Sequence, residues 1–361
     1  MKKKVVSIVL VFALAFSLAA FSGCGSSDQV TLHVYNWGVN IADGTDDYID
    51  VIELFEEAYP DIDVVYDTYE TNEALYTRLS GGGVSYDVII PSDYMIARMI
   101  REDMLLPLDF ENIPNYELVD DTFKNQAYDP DNMYSVPYTW GTVGIIYNTK
   151  YVDEADIGGW DLLWNEKYAD RIVMIANSRD AFAIAEAMLG YSLNTEDPDE
   201  LQAAAELLAE QTAVVQSYSM DDMYNVMENE EAWIAPYYAG DAMLMMDENP
   251  DLAFYLPEDQ TFNVFIDAMC IPSCAEHKEE AELFINFLTS PEISGGNMDY
   301  IGYGTPVSAA KEYMDPEMAN NPVAYPDDAT LERGEAFVAL SDEAQQLMDN
   351  LFNEVKAGLA A

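Results

Sequence analysis

Histidine is nearly absent: only His33 and His277 occur among 361 residues. Imidazole is the usual group for proton transfer near neutral pH and the commonest zinc ligand, so its scarcity argues against a histidine-based catalytic or zinc site. Cysteine is also rare, with three in the chain. Cys24 stands alone, and the spacing of Cys270 and Cys274 matches no zinc pattern. That pair suits either a disulfide in an extracellular setting or two free buried thiols. Basic residues are few, 15 against 67 acidic ones, for a formal net charge of −52. A surface this acidic repels nucleic acid and anionic lipid headgroups and attracts cations. No G-x-S-x-G, H-E-x-x-H or G-x-x-x-x-G-K motif occurs. Gly81-Gly82-Gly83 precedes a strand instead of following one into a helix, so it is no phosphate loop.

What the chain does have begins at its start. Lys2, Lys3 and Lys4 precede an apolar run from Val5 to Ala15, and small residues lead to Ser22-Gly23-Cys24. A basic start, a short apolar stretch and small residues before the break make a secretory signal, too short for a membrane span. The cysteine after the small residues narrows this to a bacterial lipoprotein signal over residues 1–23, with Cys24 lipidated. Phe21 departs from the leucine usual at that position. Residues 24–29 then read as a short flexible tether. The protein is therefore expected outside the cytoplasmic membrane, lipid-anchored on the periplasmic side or outer cell surface. Without the leader's three lysines, 12 of the 15 basic residues face 67 acidic ones, a balance of −55. Half the residues are hydrophobic, which fits a globular chain and not an acidic disordered one. About 337 mature residues are too many for one small core and suit two lobes.

Hydrophobic periodicity predicts the elements. Val30, Leu32 and Val34 alternate as a strand, and residues 46–58 predict a helix with Val51, Ile52 and Phe55 on one face, stopped by Pro60. Ile62, Val64 and Tyr66 alternate as the next strand, and residues 72–80 predict a short helix. Residues 86–90 form a continuous apolar strand of the kind buried on both faces. Strand and helix alternating in this way predict an α/β lobe. The pattern restarts after Trp140, with strands at 143–147, 172–175, 233–238 and 262–271. Helices are predicted at 179–190, 198–210, 220–228, 279–288 and 343–356. Late segments left over from two α/β units suggest a chain that crosses between lobes more than once.

Aromatic and acidic residues cluster after strands, where open α/β sheets place ligands. The clusters are Tyr35-Asn36-Trp37, Pro91-Ser92-Asp93-Tyr94, Ala235-Pro236-Tyr237-Tyr238 and Val264-Phe265-Ile266-Asp267. A further aromatic loop spans Tyr300 to Pro306. Together with Thr68-Tyr69-Glu70-Thr71-Asn72-Glu73, Tyr86 to Ser92 and Val136-Pro137-Tyr138-Thr139-Trp140-Gly141, these segments resemble the signatures of spermidine/putrescine-binding proteins of bacterial ABC transporters. The resemblance covers nearly the whole mature chain in order and spacing.

The resemblance implies a two-lobed periplasmic-binding-protein fold of type II, each lobe a mixed sheet flanked by helices. Residues 28–138 with 268–310 would form the first lobe and 139–267 with 311–361 the second. It implies a solute-binding protein, not an enzyme, that captures a polyamine and delivers it to an ABC permease, as a monomer and with no cofactor or metal. An aromatic box would comprise Trp37, Tyr238, Phe265 and Tyr303, with polar contacts from Ser92 and Tyr94 and carboxylates from Asp180 and Asp267. Tyr238 and Phe265 stand where tryptophan is common in the family. Family acid positions fall on Val39 and Asn177, and a box tyrosine on Asn40. Two surviving carboxylates favour a diamine such as putrescine, since each buried ammonium needs its own acceptor. Asp93, where the family is usually neutral, or Asp43 could supply a third charge and favour spermidine.

Two other readings remain open from the residues alone. Tyr237-Tyr238 resembles the paired tyrosines of ferric-ion-binding proteins, whose phenolates suit a hard metal. Asp180 and Asp267 could instead serve as the paired acids of a secreted hydrolase.

Overall fold

The computed structural model describes residues 29–220 and 222–359. The predicted signal, Cys24 and most of the tether lie outside the described residues. Ten strands are described: β1 (Val30–Trp37), β2 (Ile62–Tyr69), β3 (Val88–Ile89), β4 (Ser135–Asn148), β5 (Ile172–Ile175), β6 (Val215–Ser219), β7 (Ile234–Tyr238), β8 (Leu252–Tyr255), β9 (Phe262–Cys270) and β10 (Gly334–Glu335). Their order is β2-β1-β3-β9-β4-β7-β5-β6, with β10 beside β9 and β8 beside β4.

Two sheet regions meet in this path. In the first, β2 and β3 run parallel to β1, joined by crossovers through the helices Val51–Ala58 and Asn72–Ser80. Strand β9, arriving late in the chain, inserts antiparallel between β3 and β4. In the second, β5 lies parallel to both β6 and β7. Strand β4 joins the regions. Its residues 135–142 pair with β9, while residues 143–148 pair with β7 and β8. Nearly every side chain of β4 is buried, because it is covered on both faces along its whole length.

Three local expectations change. The first helix begins at Val51, not at residue 46, because Asp46 and Asp47 adopt left-handed backbone at φ 52° and 70°. Asp50 then caps it, accepting from the Glu53 N–H at 2.9 Å. The strand expected over 86–90 pairs only at Val88 and Ile89, although Tyr86 through Ile90 are all buried. The helix expected from residue 220 starts at Met223, with Asp222 at its N-cap position.

The parallel topology decides where function can sit. The C-terminal ends of β1, β3, β5 and β7 lead into Trp37, Ser92-Asp93-Tyr94, Asn177 to Asp180, and Tyr238. All open toward one region between the two sheet regions. Strand β9 runs past the same region and contributes Phe265 and Asp267 from its middle.

Candidate functional site

One cavity of about 260 Å³ lies between the sheet regions. All nine residues expected from the sequence line it: Trp37, Ser92, Asp93, Tyr94, Asp180, Tyr238, Phe265, Asp267 and Tyr303. Val39, Asn40 and Asn177, where the family pattern is lost, line it too. Asn177 also serves the backbone, because its Oδ1 caps the helix Ser178–Leu189, accepting from the Arg179 and Asp180 N–H groups at 2.8 and 3.4 Å. That cap fixes the turn that carries Asp180. Asp43 does not line the cavity; it bonds Thr45 at the surface.

Each carboxylate is gripped by a neighbour. The Ser92 hydroxyl donates to Asp267 Oδ1 at 2.6 Å, across the isolated bridge that joins Ser92 to Asp267. The Tyr238 hydroxyl donates to Asp180 Oδ2 at 2.7 Å. Asp93 accepts from its neighbour's backbone, Tyr94 N–H, at 2.7 Å and from Ile266 N–H at 3.4 Å. None of the three takes part in an ion pair among the described residues. Burial therefore dominates their chemistry, because a charge removed from water without a partner is disfavoured. Desolvation pushes Asp267 up to about 7 against the Ser92 bond, with Asp241 adding repulsion. It pushes Asp180 up to about 6, opposed by Tyr238 and Arg179 and reinforced by Glu73. It pushes Asp93 up to about 8, opposed by the Tyr94 amide and reinforced by Asp267.

Aromatic rings enclose the same space. Phe265 stands edge-on to Tyr238 at 5.6 Å and to Tyr303 at 6.0 Å between ring centroids. Trp37 leans on Tyr69 at 4.7 Å. Two glycines make room for Tyr303. A Cβ on Gly240 would lie 2.4 Å from its ring, and one on Gly141 3.0 Å. The cavity thus presents buried acids between flat apolar faces, a combination that suits an organic cation with an alkyl body.

Sequence reasoning missed several contributors. Asp241 lines the cavity and accepts from Tyr303 at 2.8 Å and Tyr224 at 2.5 Å. It sits in the first turn of the helix after β7, three residues beyond Tyr238, a spacing that could have flagged it. Glu73 holds the Tyr94 hydroxyl at 2.9 Å. Phe337 reaches the cavity from far along the chain and meets Tyr94 edge-on at 5.9 Å; no local signal marks it.

The geometry weakens the ferric reading. The Tyr237 hydroxyl donates to Met220 O at 3.2 Å while the Tyr238 hydroxyl donates to Asp180, so the two phenols bond different partners. Burial also raises the Tyr238 hydroxyl well above its ordinary value, opposite to what a phenolate ligand needs. Among the described residues, no group of three or more His, Cys, Asp or Glu could hold a metal ion. Cys270 and Cys274 are both free thiols.

Comparison with known proteins places this arrangement. A Salmonella typhimurium spermidine/putrescine-binding periplasmic protein is 32% identical over 359 residues, covering 99% of this chain and all of that one. A putrescine-binding periplasmic protein of Pseudomonas aeruginosa is 29% identical, again covering 99% and 100%. The spermidine/putrescine ABC transporter substrate-binding protein of Streptococcus pneumoniae superposes with a TM-score of 0.77 at 34% identity, over 91% of this chain and 99% of that one. The Tp0655 lipoprotein of Treponema pallidum gives 0.79 at 27% identity, over 91% and 99%. The two sheet regions are accordingly the two lobes of a type II periplasmic-binding-protein fold. With the model for bacterial extracellular solute-binding proteins matching residues 50–326 around a cavity built at the ends of the parallel strands, the chain belongs to that family.

Proposed function

We propose that this protein captures a linear polyamine between its lobes outside the cytoplasmic membrane and delivers it to an ABC permease. The observation that carries the reading is the set of buried carboxylates, Asp93, Asp180 and Asp267, held in one ring-lined cavity with no ion pair of their own among the described residues. A polyamine supplies what they lack. Its ammonium groups pair with the acids, and its methylenes lie against the rings, each cation–π contact adding about 0.5–2 kcal/mol. The relatives named for spermidine and putrescine support the same chemistry. On this reading the acids serve binding.

We further infer that the lobes divide as the resemblance implies, residues 28–138 with 268–310 against 139–267 with 311–361. The register shift of β4 on β9 between Pro137 and Thr139 falls at one such boundary. A small ligand gains at most about −1.5 kcal/mol per heavy atom, so a diamine of roughly six heavy atoms can reach about −9 kcal/mol, micromolar or tighter.

Isothermal titration with putrescine and spermidine tests the reading. Binding at micromolar affinity or better is expected. Asp267→Asn should weaken it by about thirtyfold or more, since truncating one partner of a buried charge pair costs about 2–5 kcal/mol. Absence of binding by either amine to the folded protein would refute it.

A further inference from the structure

On the polyamine reading of the cavity, on which this step rests, we propose that Asn194 is a positioning residue that never touches the ligand. It clamps a surface strap so that Phe337 walls the cavity from solvent and slows the ligand's exit. Asn194 does not line the cavity. The strap runs from β10 to the start of the helix Asp342–Leu359. Ala336 and Val338 on it are exposed, whereas Phe337 between them is buried and lines the cavity. One side of the strap therefore meets solvent and the other meets the cavity, with the Phe337 ring between the two.

Side chains hold most of this strap. Strand β10 pairs with β9 over two residues, Gly334 on Phe262 and Glu335 on Asn263. Beyond them, Asn194 Nδ2 donates to Ala336 O at 2.9 Å, and Asn194 Oδ1 accepts from the Val338 N–H at 2.8 Å. Arg179 donates to Val338 O at 3.3 Å and Arg101 to Leu340 O at 3.4 Å. Glu196 accepts from the Ser341 N–H at 2.7 Å.

Asn194 is the centre of this set. Its Nδ2 also donates to Glu335 Oε1 at 2.9 Å, and its Oδ1 also accepts from Arg179 Nη2 at 2.6 Å. An amide side chain has two donor and two acceptor positions, and here all four are used. Two N–H donors facing Oδ1 fix which way the amide points. Aspartate could not replace it, because a carboxylate would meet the Glu335 carboxylate and Ala336 O with no proton to give.

The same amide holds the cation beside the ring. Arg179 is fully buried, its guanidinium 4.4 Å from the centre of the Phe337 ring. Glu186 on the same helix favours its charge. Among the described residues, however, both Glu186 oxygens and Arg179 Nε and Nη1 have no direct hydrogen-bond partner. The direct bonds of the guanidinium run from Nη2 to Asn194 and to Val338 O. Phe337 is thus set twice by Asn194, through the strap's backbone and through Arg179. Its ring also meets Tyr94 edge-on at 5.9 Å, on the helix that follows β3, so the wall joins both sheet regions.

Hydrogen exchange of the unaltered protein tests the clamp first. The Val338 residue is 42% exposed. Its amide should still exchange at least about a hundredfold slower than an open-chain amide, because exchange needs the clamp to open. Unprotected exchange there overturns the inference without any variant. Stopped-flow release of putrescine, followed by intrinsic tryptophan fluorescence, tests the consequence. Asn194→Ala should speed release about tenfold and change association by less than about threefold, since such losses fall mainly on the dissociation rate. Phe337→Ala should speed release comparably. In that background Asn194→Ala should add less than about twofold, because both act through one ring. Release unchanged by either single substitution overturns the inference. Effects that multiply in the double variant also overturn it and make Asn194 a support for the fold alone. In those cases putrescine still binds and the polyamine reading stands, whereas failure of putrescine and spermidine to bind the unaltered protein defeats that reading and this inference together.

Discussion

Lowering the pH from 8 to 6 should weaken polyamine binding by about twentyfold or more. Burial holds Asp267 near 7 and Asp180 near 6 in the ligand-free protein. An ammonium pairs with the ionised form, so the apparent dissociation constant carries a factor of one plus ten to the power of pKa minus pH for each acid. At pH 8 both factors are about one. At pH 6 they are about eleven for Asp267 and about two for Asp180, a product of about twenty, or about 1.8 kcal/mol. If Asp93, near 8, must ionise as well, it multiplies the change by about fifty, to roughly a thousandfold. The ligand's amines titrate near lysine and stay charged throughout. Their counterparts facing the acids are Arg179, whose charge is constant here, and Tyr238 and Ser92, which stay neutral donors. Calorimetry in phosphate and in Tris, whose ionisation heats differ, should show protons released on binding. The acids also bear on stability. Their folded pKa values exceed the unfolded ones, so their contribution is full below about pH 4 and is lost as pH rises through 6 to 8. The ligand-free melting temperature should fall across that window, and added polyamine should raise it most at pH 8. Affinity that is flat from pH 6 to 8, or proton uptake on binding, would refute the reasoning.

Gly240→Ala places a methyl 2.4 Å from the Tyr303 ring and should push that ring off Asp241. Overpacking of this kind costs about 1–3 kcal/mol, so a lower melting temperature with about tenfold weaker polyamine binding is expected by thermal shift and calorimetry. Gly358→Ala, in a helix with open space around it, serves as the control and should be neutral or slightly stabilising. If the lobes divide near Thr139, Ala268 and Ala310 and close on ligand by a hinge, small-angle scattering should give a smaller radius of gyration with saturating polyamine; identical curves would argue for a preformed pocket.

Much of this protein is legible in its sequence because the informative patterns are local. Alternation in β1 and β2, the apolar run of β5 and the capped helices at Asn72 and Ser178 depend on neighbours a few residues away. Aromatic and acidic residues just after strands identified the cavity's lining, since the C-terminal ends of parallel strands open to one side whatever the connections. Other features depend on distant partners. No pattern within β4 announces that it changes partners after Thr142, and none within β9 announces that it inserts antiparallel between β3 and β4. Phe337 lines the cavity while packing against Arg179, some 160 residues earlier, and against Tyr94. The left-handed turn at Asp46 and Asp47 overrode a helical periodicity that sequence alone could not distinguish from a real start. Charge state was the least legible property of all. Composition revealed an excess of acid, but which carboxylates would be desolvated was decided by the packing of β3 against β9 and of Tyr238 over Asp180. An aspartate's identity is written in the chain, whereas its solvation belongs to the assembled walls around it.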